Sequence, residues 1–144
     1  MRAATLAAIA GVGAATLAGC AGEDDSAGFG VPTLVFSEVI DTVAQPLEGT
    51  VVVESNGCFD LELPGGELRW IVWPEGTRLG DDGDQVVVGE LPVSNGDAIT
   101  AAGAVAEADV LPGWENPDSY FASFGAFCGA EERGIVALEQ ASVG

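Results

Sequence analysis

Histidine and lysine are both missing from this chain of 144 residues, and arginine occurs only four times. The absences remove whole classes of chemistry. A Ser-His-Asp triad, a Cys-His dyad and a Ser-Lys pair cannot be assembled. Zinc or copper sites built on imidazole are excluded with them. No Cys-x-x-Cys spacing marks a dithiol redox centre, and no glycine-rich phosphate cradle follows residue 20. No internal repeat is visible, and nothing in the sequence calls for a cofactor.

Acid fills the space left by the missing cations. There are 23 Asp and Glu, for a formal net charge of −19. A surface of that sign repels nucleic acid and anionic headgroups, so a nucleic-acid partner is not expected. Cations and cationic partners suit it, and so does a plain solubilising role for a protein held in a crowded envelope.

The N-terminus reads as an export signal. Arg2 follows Met1, then an apolar run extends from Ala3 to Ala18, interrupted by Gly11 and Gly13. At 16 residues the run is short for a spanning helix and suits the apolar segment of a signal peptide. Leu17-Ala18-Gly19-Cys20 then resembles, residue by residue, the lipobox of bacterial lipoproteins. That resemblance implies a diacylglycerol on the Cys20 thiol, removal of residues 1–19, and a domain held to the outer side of a cell membrane by lipid. Residues 20–32, small, acidic and Gly-rich, are expected to form a flexible tether. Residues 33–144 then make one domain. The lack of Lys beside abundant Ala, Gly and Val resembles the composition of proteins from GC-rich actinobacteria, with haloarchaea as the second match. Around Gly57-Cys58, Trp73-Pro74 and Cys128 the domain is similar to small acidic actinobacterial lipoproteins, over residues 48–138 at most. That similarity implies no activity.

Three cysteines make an odd count, which in an exported protein raises the question of a free thiol. With Cys20 consumed by lipid, Cys58 and Cys128 remain as one possible pair in an oxidising compartment. Closing a loop of about 70 residues contributes roughly 4 kcal/mol in the chain-entropy picture.

The domain reads as mainly β. Thr33 to Ala44 spaces its apolar residues slightly better for a short helix than for a strand, with Thr33 as the cap. Thr50 to Glu54 is a β-branched run that ends in the turn Ser55-Asn56-Gly57. Cys58 to Leu63 alternates, placing Phe59, Leu61 and Leu63 on a core face and Cys58, Asp60 and Glu62 on a wet one. Pro64-Gly65-Gly66 turns the chain into Leu68 to Trp73, so residues 58–73 form a hairpin that ends at Pro74. Further strands are expected over 85–88, 98–105 and 134–138. The stretch 112–130 is aromatic but aperiodic, and is expected to be a long connection with one helical turn after Pro117. Five or six short strands point to a small antiparallel barrel, OB-like by preference, or a sandwich.

Few residues remain that could carry chemistry. Asp60 and Glu62 share a strand face, a spacing at which paired carboxylates serve acid–base catalysis if one is desolvated. Alternation with Phe59, Leu61 and Leu63 predicts the same pair as a plain wet face. Asp81, Asp82 and Asp84 around Gly83 offer oxygen ligands for weak divalent cation binding, calcium above all. They lack the remaining ligands of a calcium loop and read equally as a solvated turn. Trp70, Trp114 and Tyr120 are candidate platforms for a glycan or protein partner. Trp70 and Trp73 should point to opposite sides of one strand, with Trp73 in the core and Trp70 exposed or covered by the 112–130 segment. The expected function is a non-catalytic binding or accessory module on the envelope. The alternatives are a small carboxylate-dependent hydrolase of envelope polymers and a ligand-free spacer.

Overall fold

The computed structural model describes residues 30–144. The expected signal 1–19, the lipidation site Cys20 and the tether up to residue 29 lie outside the described residues.

Among the described residues, nine strands, three short α-helices and a 3-10 turn at Ala108–Val110 follow one another. β1 (Thr33–Leu34) and α1 (Phe36–Val39) lead into β2 (Gln45–Val53), β3 (Phe59–Glu62) and β4 (Leu68–Pro74). β5 (Arg78–Leu79), β6 (Gln85–Val88) and β7 (Leu91–Ser94) make a separate small sheet. β8 (Ala98–Ala106), α2 (Tyr120–Phe127), α3 (Ala130–Arg133) and β9 (Ile135–Val143) complete the domain.

Five of these strands close a barrel. β4, β3, β2, β8 and β9 pair antiparallel in that order, and β9 returns to β4 in parallel, with Trp70 opposite Ile135 and Val72 opposite Ala137. Counted along the chain, the barrel strands neighbour one another as 1-2-3-5-4, the connectivity of an OB-type barrel. Closure removes the exposed strand edges that an open sheet of this length would carry. The mainly β, small-barrel expectation therefore holds.

Two apolar layers form because β3, β4 and β9 are buried on both faces. The interior holds Val51, Phe59, Leu61, Ile71, Trp73, Ile99, Val136 and Leu138, joined by Val86 and Val93 from the β6–β7 hairpin. The opposite faces carry Cys58, Trp70, Val72, Ile135 and Ala137, covered by Phe36, Ile40, Leu111 and Phe124 from the helical segments. The run Leu68 to Trp73 has this double burial written into it, since doubly covered strands lose their alternation.

Backbone turns behave as the residues demand. Gly57 adopts φ 86°, a conformation a side chain would strain, while Asn56 Oδ1 accepts from the Cys58 N–H at 3.1 Å. Gly103 lies where β8 shifts register against β9. A methyl group there would collide with the Ala137 carbonyl oxygen and stand 3.2 Å from Leu138 Cα.

The helical expectations need correction. The helix expected over 33–44 shrinks to α1, and Thr33 does not cap it: Thr33 pairs with Trp73 in β1, and the cap position, Val35, makes no side-chain hydrogen bond. Tertiary pairing wins there, because the Trp73 and Glu75 N–H groups donate to Pro32 and Leu34 oxygens at 2.7 and 3.1 Å. Chain docking thus begins before residue 33. The 112–130 connection holds more helix than one turn. Ser119 caps α2, accepting from the Ala122 N–H at 3.3 Å and donating to Gly113 O at 2.7 Å. The closing strand runs on to Val143, beyond the expected 138.

Candidate functional site

Cys58, just before β3, and Cys128, at the C-terminal end of α2, are bonded to each other, Cα to Cα 5.7 Å, across 70 residues. The bond fastens the helical cap to the barrel face beneath it. Under the same cap lies the densest charge cluster of the described residues. Asp60 of β3 is fully buried. Arg133, the last residue of α3, donates through Nη1 to Asp60 Oδ2 at 2.5 Å and to Glu54 Oε1 at 2.6 Å. Glu54 stands just after β2 and is about a quarter exposed, so one cation is shared between two carboxylates at the junction of barrel, turn and cap.

Desolvation dominates Asp60. Burial, with the neighbouring Glu54 carboxylate, pushes its pKa from the ordinary 3.8 to about 7 against the pull of Arg133. Glu54 moves the other way, because Arg133 hydrogen-bonds its ionised form. Of the two carboxylates, the buried Asp60 is therefore the one that takes up a proton first as pH falls. Asp60 Oδ1 has no hydrogen-bond partner among the described residues, and neither do Arg69 Nε and Trp73 Nε1.

The pair named from the sequence is not the pair that meets. Glu62 is exposed and lines an open groove of about 500 Å³ with Glu48, Thr50 and Thr100, while Asp60 faces Glu54 beneath the cap. Cys58, Asp60 and Glu62 were expected to form one wet face. Helix packing over the first two overturns that, because alternation cannot report a layer supplied by a distant segment. Glu54 and Arg133 were missed. The available signal was scarcity: only three Arg follow Arg2 among 23 acids, so each cation has good reason to be paired.

Of the two expectations for Trp70 the structure shows cover by the 112–130 segment: Trp70 is fully buried and stacks on Phe124 of α2 with ring centroids 5.3 Å apart. Trp73 meets Phe59 edge-on at 6.2 Å in the interior, so both tryptophans belong to cores on opposite sides of β4. Trp114 is partly buried, its ring seated where a Cβ on Gly125 would be. Tyr120 is 54% exposed, lies against Phe121 and Phe124, and donates to Val31 O at 3.2 Å. Trp70 and Trp114 thus pack around α2, while Tyr120 keeps an exposed ring beside them. Asp81, Asp82 and Asp84 are exposed in the turn between β5 and β6, and no cluster of three or more metal-ligating side chains occurs among the described residues.

The triad carries a signed pH prediction. Asp60 binds its proton more tightly folded than unfolded. Its contribution is therefore complete below about pH 4 and is lost as pH rises through about 7. Glu54, held below its ordinary value, contributes above that value and loses its share in acid. Arg133→Met strands Asp60 without its cation. The expected cost is on the order of 3 kcal/mol at pH 8, shrinking below pH 6 where Asp60 takes a proton from solvent. Asp60→Asn should flatten the wild-type loss between pH 5 and 8. Thermal melts across that range check both, and an Arg133→Met cost independent of pH would refute the assignment.

The class defined by these features is a small, disulfide-fastened, OB-type barrel whose buried charges hold a helical cap in place. No family model, curated protein or solved structure matches the chain.

Proposed function

We propose that the chain is an extracytoplasmic lipoprotein, anchored through lipid on Cys20, whose barrel is a non-catalytic binding or accessory module. The observation that carries this reading is the lipobox Leu17-Ala18-Gly19-Cys20 at the end of an apolar run. The Cys58–Cys128 disulfide supports it, since such bonds persist in oxidising compartments. No helix among the described residues is long and apolar enough to cross a membrane.

Three features favour accessory binding over hydrolysis. Asp60 is sealed beneath the cap, its neighbour Glu54 is bonded to Arg133, and Glu62 lies exposed in a separate groove. In OB barrels the ligand face lies over the second and third strands, between the loops that follow the first and fourth. Here those strands are β3 and β4. The helical segment after β8 packs onto their outer face and is bonded by Cys128 to the loop after β2, so the chain itself fills the usual ligand seat. The groove carrying Glu48, Glu62, Thr50 and Thr100 is an open concavity suited to a cationic or hydroxyl-rich envelope partner.

Mass spectrometry of the membrane fraction tests the anchor. Wild type should yield an N-terminal peptide beginning at lipid-modified Cys20, and Cys20→Ser should accumulate as unlipidated precursor. An intact Met1 terminus on the membrane-bound wild type ends the reading.

A further inference from the structure

We infer that α2 is the part of the domain that rests on the bilayer: its uncharged outer face, carrying Tyr120, Ser123, Ala126 and Phe127, meets the lipid headgroups. The inference rests on the lipid-anchor reading and adds an orientation to it.

Two observations on different parts of the chain coincide. First, α2 reads Tyr-Phe-Ala-Ser-Phe-Gly-Ala-Phe, eight residues without a charge in a chain holding 23 acids. Ala122, Phe124 and Gly125 turn inward, while Tyr120, Ser123, Ala126 and Phe127 are exposed, Tyr120 and Phe127 by 54% and 50%. Second, the chain enters the described domain beside this helix. Tyr120 Oη donates to the Val31 carbonyl at 3.2 Å, so the segment leading back to Cys20 starts at the N-terminal end of α2.

Geometry and charge select the occupant. From Cys20 to Gly30 is ten residues, which reach at most about 35 Å. That length keeps the side of the domain where the segment leaves, and α2 with it, within reach of the membrane. A strongly acidic domain is repelled by anionic headgroups, and the repulsion is least where a face bears no charge. Tyr adds an amphipathic ring of the kind that collects at the headgroup level. Tethering supplies a high local concentration, so a contact too weak to recruit a free protein still sets orientation. Exposed Glu115 and Asp118 before the helix, and Glu131 and Glu132 after it, bound the face with charge and limit its depth.

The test uses the full acylated protein in phosphatidylcholine vesicles that contain a photoactivatable headgroup lipid. After irradiation, lipid adducts should concentrate on the peptide holding residues 120–127, and the exposed 81–84 turn should remain nearly free of them. Ser123→Glu changes an exposed position and should leave the melting temperature in place. Adducts on 120–127 should fall about tenfold, equivalent to about 1.4 kcal/mol, while the protein stays vesicle-bound. Adducts spread evenly over the surface, or adducts unaffected by Ser123→Glu, overturn the orientation. Cross-links joining two copies through α2 in place of lipid adducts overturn it too, and assign the face to self-association. Failure of the anchor itself looks different: the wild-type protein would not enter the vesicle fraction.

Discussion

Breaking the Cys58–Cys128 disulfide, by reduction or by the double change Cys58→Ala and Cys128→Ala, should lower the melting temperature of the domain by roughly 15 °C. Released, the unfolded chain regains the freedom of a 70-residue loop, worth about 4 kcal/mol in the chain-entropy picture. For a domain of this length each kcal/mol shifts the midpoint by about 4 °C. The position of the bond adds a local consequence. Cys58 immediately precedes β3 and Cys128 follows α2, so its loss leaves the cap held by the Trp70–Phe124 stack and the Arg133 pair. Amide exchange in α2 and α3 should rise before exchange in the barrel strands. A melt insensitive to reductant, with the bond shown to be open, would remove the disulfide from the account of stability.

Replacing Gly103 with Ala should cost about 4 kcal/mol, the other large loss expected from one change. The added methyl would meet the Ala137 carbonyl oxygen and stand 3.2 Å from Leu138 Cα, both backbone of the adjacent strand. No rotamer relieves a clash between a Cβ and a main chain, so β8 and β9 must part where their register already shifts. β9 closes the barrel against β4, and the strain passes directly into closure. Gly65 is the control: a Cβ there meets nothing within 4 Å, so Gly65→Ala should melt close to wild type. Equal midpoints for the two variants would show that the close approach of β8 and β9 is not as described.

How much could be read in advance depends on the range of the interaction. The hairpin over 58–73 was legible because Pro64-Gly65-Gly66 sets the turn locally, and the structure closes it with the Gly66 N–H donating to Leu63 O at 2.8 Å. The staple was legible once Cys20 was assigned to lipid, since one pair was left. For Trp70 the residues left exposure and cover by the 112–130 segment both open, because the choice depends on α2, which arrives fifty residues later. Asp60 was misread for the same reason. A carboxylate alternating with apolar neighbours looks solvated until a distant segment is laid over it.

The sequence alone therefore determined the local chemistry of this protein: its acidity, its lack of imidazole and amine, its turns, its β texture and its one covalent closure. Each depends on composition or on residues a few positions apart. Only the tertiary structure decided which face of each strand is wet, that Asp60 keeps Glu54 and Arg133 as partners rather than Glu62, and that α2 sits where the chain enters the domain. Those are long-range outcomes, set by which segments bury one another and how much solvation a charge loses, and no periodicity in a single stretch of chain encodes them.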